Sequence, residues 1–235
     1  MKIALDVMGG DFAPTEAIKG VGLFLSGSSP EVDLILVGDK EKIKLLLSEN
    51  GVNDENISIL HTDQVIEMHE HPTKALKEKK QSSISVGFQL LSTGKADAFI
   101  SAGNTGAMMV GALYSIKAIQ GVLRPAIGAY LPRESGHLAL MLDVGLNADC
   151  KPENLSQFAV LGSLFAKHIL NIPNPRVGLI NLGEEEGKGN LLTQAAYPIL
   201  KNNTRINFIG NVEGRDLLPD KADIYICDGF TEMLF

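Results

Sequence analysis

The sequence predicts an α/β protein of the three-layer αβα kind, with a mostly parallel sheet that a hairpin would make mixed. Three observations carry this. Short β-rich apolar runs recur along the chain, helix-length segments with apolar spacing near 3.6 lie between many of them, and glycine-rich turns follow the runs. The 235 residues, 45% of them hydrophobic, fall within the range of a single core. One compact α/β unit over 1–235 is therefore expected.

Taken in order, Ile3 to Val7 and Asp33 to Val37 read as strands, and a helix follows with Ile43, Leu46 and Leu47 on one face. Asp39 can cap that helix and Gly51 can end it. Ile57 to Leu60 is the next strand, and Gln64 to Gln81 the least regular stretch. Ser82 or Ser83 starts a helix with Ile84, Phe88 and Leu91, and Gly94 ends it. After the strand Ala98 to Ser101, the stretch Arg124 to Leu142 holds two apolar runs around Pro132-Arg133-Glu134-Ser135-Gly136, which could turn a hairpin. Leu138 to Leu142 is a strand in either case. Pro152 suits the first turn of a helix, whose Phe158, Phe165 and Ile169 are assigned to the core. Val177 to Asn181, Ile206 to Ile209 and Ile224 to Cys227 complete the strands. No repeat, low-complexity tract or Pro/Ser-rich linker divides the chain.

A net charge of −7 gives a background field that repels nucleic acid and anionic membrane, so any phosphate site has to be local. Cys150 and Cys227 lie far apart without metal-type spacing, which fits a reducing cytoplasm. Asp6 and Asp11 interrupt the N-terminal apolar run where a signal peptide needs continuity. Without a long apolar run for a transmembrane helix, membrane contact is expected to be at most peripheral.

The chemistry should sit where glycine follows a strand. Such loops are Met8-Gly9-Gly10-Asp11, Ser101-Ala102-Gly103-Asn104-Thr105-Gly106, Asp143-Val144-Gly145, Leu182-Gly183 to Gly189-Asn190, Gly210-Asn211-Val212-Glu213-Gly214-Arg215-Asp216, and Asp228-Gly229-Phe230-Thr231. In a parallel sheet the strand C-termini share one edge, so these loops are expected to converge on one crevice. Glycine permits close backbone approach, and helices starting there aim free N–H groups at the crevice. An anion is the natural occupant.

The combination of Met8-Gly9-Gly10-Asp11, Ser101-Ala102-Gly103-Asn104-Thr105-Gly106-Ala107, Asp143-Val144-Gly145 and Gly210-Asn211-Val212-Glu213-Gly214-Arg215-Asp216 resembles the acyl carrier protein:phosphate acyltransferases, the PlsX family of phospholipid synthesis. The similarity runs from Met1 to about Thr231. It implies that inorganic phosphate attacks the thioester of a long-chain acyl group on acyl carrier protein, giving acyl phosphate and free carrier. It further implies a fold akin to isopropylmalate dehydrogenases and phosphotransacetylases. A homodimer is expected, with a downstream glycerol-3-phosphate acyltransferase as consumer of the product. No cofactor, metal or nucleic acid is called for.

Within that reading Asn104, Lys188 and Asp228 are the candidate catalytic residues. Asn104 with Thr105 and Gly106 would form a cradle or oxyanion hole, Lys188 a mobile point charge, and Asp228 an orienting group for Lys188 or a water. Gly9, Gly10, Gly103, Asn211 and Arg215 complete the phosphate or oxyanion set. The plainer readings are an N-cap for Asn104, a solvated loop lysine beside three glutamates for Lys188, and turn chemistry for the others. Asp6, Asp11 and Asp143 are assigned to loop organisation through backbone amides, and His69-Glu70-His71 to a polar loop. Cys150 is the more accessible thiol, without a covalent role. Lys74, Lys77, Lys79 and Lys80 form a basic patch for docking an acidic carrier protein.

After Thr231 the family continues with a glycine, an asparagine and a long helical segment, whereas this sequence reads Glu232-Met233-Leu234-Phe235. The expectation is a single phosphate acyltransferase domain that lacks the family's C-terminal helices. The alternatives are an inactive fragment that still binds phosphate or carrier protein, and an NAD-dependent decarboxylating dehydrogenase on the same fold.

Overall fold

The computed structural model describes residues 1–27, 32–53 and 55–232. The chain divides into two compact units, Met1–Ala118 and Ile119–Phe235, where length and composition suggest one. Each unit has its own sheet and core, and each is of common domain size.

In the first unit the order is β1 (Lys2–Asp6), α1 (Thr15–Gly27), β2 (Asp33–Gly38), α2 (Lys40–Glu49), β3 (Ile57–His61), α3 (Pro72–Glu78), α4 (Ser83–Ser92), β4 (Ala98–Ser101) and α5 (Thr105–Ser115). The strands lie in the order β3-β2-β1-β4 and all pair in parallel. Strand alternation sorts the side chains into two layers. Ile3, Leu5, Leu34 and Leu36 pack with Ile18 and Val21 of α1 and Ile43 and Leu47 of α2. Ala4, Ile35 and Val37 face the other way, against Val86 and Leu90 of α4. Helices therefore cover both faces. The expected caps are present: Asp39 accepts from the amides of Glu41 and Lys42, and Ser82 from that of Ser85. The irregular stretch contains α3, with Pro72 in its first turn.

The second unit runs β5 (Gly128–Pro132), β6 (Leu138–Leu142), α6 (Pro152–His168), β7 (Arg176–Ile180), α7 (Leu191–Lys201), β8 (Asn207–Val212), β9 (Ile224–Ile226) and α8 (Gly229–Glu232). Its strand order is β5-β6-β9-β7-β8. The hairpin is real: β5 and β6 are antiparallel and the other pairs parallel, so this sheet is mixed. Leu140, Leu142, Leu179 and Ile226 pack against Leu155, Phe158 and Ala159 of α6 and Ala196 and Leu200 of α7. On the other face Met141, Ile180, Tyr225 and Cys227 meet Leu217. The Tyr225 hydroxyl pins that segment by donating to the Asp216 carbonyl at 2.7 Å. Of the three residues assigned to the core along this helix, Phe158 is buried, but Phe165 is 39% exposed and Ile169, just past the helix end, 59%. They fall off the stripe that faces the sheet.

At the N-terminal edge of this sheet the side chain of Asp223 is held between Arg176 and Arg133, each at 3.0 Å. Arg133 is itself buried and also reaches the Ala222 carbonyl, which fastens the hairpin to the segment before β9. Burial opposes ionisation of Asp223, but hydrogen bonds from Arg176 and Arg133 outweigh it and hold the carboxyl below its ordinary range. This edge is structural. No helix among the described residues is long and apolar enough to cross a membrane.

Candidate functional site

The glycine-rich loops divide between the C-terminal edges of two sheets, where one shared edge was expected. In the first unit the chain leaves β1 towards β2 and β3 and returns to β4 on the other side of β1. The loops after β1 and β4 therefore flank a topological switch point, the usual ligand position in open α/β sheets. Asp6 ties them together. Its carboxylate accepts from the amides of Met8 and Gly9 at 2.9 and 3.1 Å and from the Ser101 hydroxyl at 2.7 Å. Ser101 Oγ in turn accepts from the Gly103 amide. A Cβ on Gly9 would stand 2.6 Å from Asp6 Oδ2 and 2.7 Å from the Gly103 nitrogen, so the two loops touch backbone to backbone.

Asn104 differs from its assigned catalytic part. Its Oδ1 caps α5 by accepting from the Ala107 amide at 2.9 Å, and its Nδ2 donates at 3.1 Å to the carbonyls of Glu67, Met68 and Glu70. Buried and fully engaged, it positions the 67–70 loop and the start of α5, and it has no donor left for an oxyanion. Gly106 is likewise a packing residue, because a Cβ there would collide with the Pro72 ring. What stays open at this helix end are the exposed hydroxyl of Thr105 and the amides of Thr105 and Gly106.

In the second unit a cavity of about 640 Å³ opens at the C-terminal ends of β7, β8 and β9. Ile180, Leu182 and Phe230 give it apolar walls, while Asn190 and Thr193 bring the start of α7 to it and Arg215 reaches it from the turn after β8. Asn190 caps α7 through the Thr193 amide, leaving the amides of Leu191 and Leu192 open. Arg215 is mostly exposed and paired with Glu213 at 2.7 Å.

Lys188 sits in the loop between Leu182 and Asn190. Its exposed ammonium makes no hydrogen bond or ion pair with any described residue. The acids beside it are drawn elsewhere: Glu184 pairs with Lys221, and Glu186 with Lys201 at 2.9 Å. The hydrogen bonds that Lys221 donates to Asp216 and Glu184 raise its pKa, keeping that clamp charged. Further bonds hold the loop backbone. Asn181 Nδ2 donates to the Lys188 carbonyl, Asn211 Nδ2 to that of Glu185, and Gln194 Nε2 to those of Gly187 and Gly189. Gly189, at φ +98°, has room for no side chain between Thr193 and Asn181.

Two assignments change here. Asn211 is buried and directs its NH2 to the loop, so it is a clamp, and its Oδ1 has no partner among the described residues. Asp228 caps α8 by accepting from the Thr231 amide at 2.8 Å, and no bond joins it to Lys188. Asp143 organises its loop through the amides of Ile127 and Asn147, as its type suggests. Burial first, and then the charges of Asp228 and Asp143, push the Cys150 thiol up to about 11, which leaves it protonated and unreactive at neutral pH.

A family model described as "Fatty acid synthesis protein" matches residues 1–233. The chain belongs to that family. Within it, the chain is 49% identical over 231 residues to the phosphate acyltransferase of Dictyoglomus turgidum, covering 98% of this chain and 68% of that protein. It is 50% identical over 231 residues to that of Desulforamulus reducens, with the same coverage. Family membership makes this an acyltransferase fold by descent, as the loops suggest. Among solved structures, EutD phosphotransacetylase from Staphylococcus aureus superimposes with a TM-score of 0.64 at 16% identity, over 96% of this chain and 76% of that one. A phosphotransacetylase from Streptococcus pyogenes gives 0.63 at 18% identity, over 98% and 78%. The fold is thus that of the phosphotransacetylases, in keeping with the expected architecture.

The basic patch of this family member is partly dismantled by its own contacts. Lys79 donates at 2.6 Å to both the Val65 carbonyl and Glu70, and that hydrogen bond lowers the Glu70 pKa. Lys74, Lys77 and Lys80 stay exposed without an ion pair among the described residues. Lys77 borders a cavity of about 190 Å³ between α3, α4 and α5, lined by Leu76, Phe88 and Tyr114. The Glu232 side chain and residues 233–235 lie outside the described residues.

Proposed function

We propose that this chain transfers a long-chain acyl group from acyl carrier protein to inorganic phosphate, with Lys188 and the second-unit cavity as the working site. A phosphate oxygen attacks the thioester carbonyl, the C–S bond breaks, and the proton of hydrogen phosphate leaves with the carrier thiol. Atoms and charge balance without a cofactor. The product, an acyl phosphate, is a substrate for an acyltransferase of phospholipid synthesis.

The carrying observation is the isolated charge of Lys188. Two of its three acidic neighbours are tied to other lysines, so its ammonium is available to the oxyanion that develops on the thioester carbonyl. Such a donor contributes about 3–4 kcal/mol to a barrier. The open amides of α7 and the Arg215 guanidinium suit phosphate, and Ile180, Leu182 and Phe230 suit the start of an acyl chain. Asp228 and Asn211 hold the loops in this reading.

Carrier docking is assigned to Lys74, Lys77 and Lys80 on and beside α3, with Lys79 as an internal strut. Reversing the charge of Lys77 and Lys80 should raise the KM for the carrier and leave that for phosphate unchanged. An unmoved KM for the carrier would remove this face from the reading. The reaction itself is tested with palmitoyl-acyl carrier protein and phosphate, trapping acyl phosphate with hydroxylamine. Phosphate-dependent hydroxamate that drops about 100-fold or more in Lys188→Ala is the expected result. Binding of phosphate without product would place the chain among inactive binders.

A further inference from the structure

The segment from Glu184 to Lys188 carries three glutamates against one lysine, an excess of two negative charges beside a site meant for phosphate. Two lysines from elsewhere in the chain cancel that excess. Lys201, in the last turn of α7, pairs with Glu186 at 2.9 Å, and Lys221, between the turn after β8 and β9, pairs with Glu184. The two clamps differ. Both side chains of the first are more than half exposed, whereas Lys221 is 32% exposed and is held at 2.7 Å by Asp216 as well. Asp216 is itself fixed, because its carboxylate accepts from the Glu213 amide at 2.9 Å and its carbonyl from the hydroxyl of the buried Tyr225. Lys221 therefore holds Glu184 from a rigid base.

Without that hold, Glu184 has Lys188 close at hand. The Lys188 stem folds back over Gly183, the neighbour of Glu184, where a Cβ would meet Lys188 Cγ at 3.0 Å and Glu185 Oε2 at 3.1 Å. Glu185 is the glutamate left beside Lys188, and it forms no ion pair among the described residues. One carboxylate thus stands beside one ammonium, and release of Glu184 would add a second. The loop backbone does not need Lys221, since Asn181, Asn211 and Gln194 already hold its carbonyls. An exposed pair of this kind contributes little to stability. Its effect falls on the charge that a phosphate meets, which at this range salt screens only in part.

We propose that Lys221 is a positioning residue of the acyl-transfer site, with Lys201 as its weaker counterpart: it holds Glu184 aside, so that phosphate and the thioester oxyanion meet the Lys188 ammonium in a loop without excess negative charge. This rests on the acyl-transfer reading of Lys188.

The test is Lys221→Met, alone and combined with Glu184→Gln, read in the hydroxylamine assay and by the rate at which acetic anhydride acylates the Lys188 amine, followed by mass spectrometry. Lys221→Met should raise the KM for phosphate about two- to fivefold and leave that for the carrier unchanged. It should slow acylation of Lys188 by a similar factor, because a freed carboxylate favours the charged amine. Salt at about 0.5 M should erase most of both changes. Adding Glu184→Gln should restore both readouts although the link between the two segments stays broken, which a merely structural tie would not allow. Lys201→Met should act in the same direction by less, on a pair too exposed to matter for folding. Acylation of Lys188 that ignores Lys221→Met, or a change that Glu184→Gln does not restore, would overturn the proposal. The acylation readout needs no turnover, so slowing and restoration in a chain without acyl transfer would count against the acyl-transfer reading and not against the clamp.

Discussion

At the strand ends of the first unit, Asp6, Ser101 and Asn104 turn inward and bond the loops to one another. At the strand ends of the second unit, Asn181, Asn211 and Lys221 hold a loop from outside, and Lys188 is left facing solvent. The same residue types serve opposite purposes. Where the polar atoms are all engaged they build a scaffold, and where neighbours engage the backbone instead, a charge stays free for a ligand. An invitingly placed asparagine is therefore less informative than a lysine whose acidic neighbours have been drawn off.

The comparison can be broken at several points. The largest structural effect should come from Asp223→Ala, which removes the shared partner of Arg176 and of the buried Arg133, leaving Arg133 with Asp220 at 3.1 Å and the Ala222 carbonyl, and should cost about 3 kcal/mol in denaturant unfolding. A loss under about 1 kcal/mol would show that the Arg133–Asp223–Arg176 cluster does not hold the second unit together. Asn104→Ala removes a helix cap and leaves the carbonyls of the 67–70 loop without a donor, so a loss of about 2–3 kcal/mol is expected by the same measurement. Acid should act through Asp223 more gently. Its folded pKa is lowered, so its contribution is complete above the unfolded value and disappears as pH falls through the folded one. The melting temperature should fall below about pH 4, and Asp223→Asn should flatten that fall. An identical acid slope in the variant would assign it to other carboxylates.

Much of the fold is legible in the sequence because short apolar runs and caps are local signals. Asp39, Ser82, Asn104 and Pro152 stand at helix starts as their types require, and the hairpin turns at the Pro132 to Gly136 stretch. Pairing between distant strands is not local. Nothing in the apolar runs says that β4 closes one sheet and β5 begins another, and the segment between α5 and β5 has no proline- or serine-rich signature, so one unit is read where two exist. The site shows the same limit. The glycines mark the right loops, but the tie of Asp6 to Ser101 spans 95 residues and that of Lys221 to Glu184 spans 37. In sequence, Lys188 is a lysine beside three glutamates. Only the positions of Lys201 and Lys221 reveal that two of these are already taken.

The central claim is that Lys188 acts on the reaction while Asn104 acts on the fold. Turnover per folded molecule, measured in the hydroxylamine assay alongside the melting temperature, separates them. Lys188→Ala should keep the wild-type melting temperature and lose about 100-fold or more in rate, and Asn104→Ser should melt lower yet turn over normally below its transition. A stable Asn104→Ser that has lost its activity, or a Lys188→Ala that keeps it, would contradict the account.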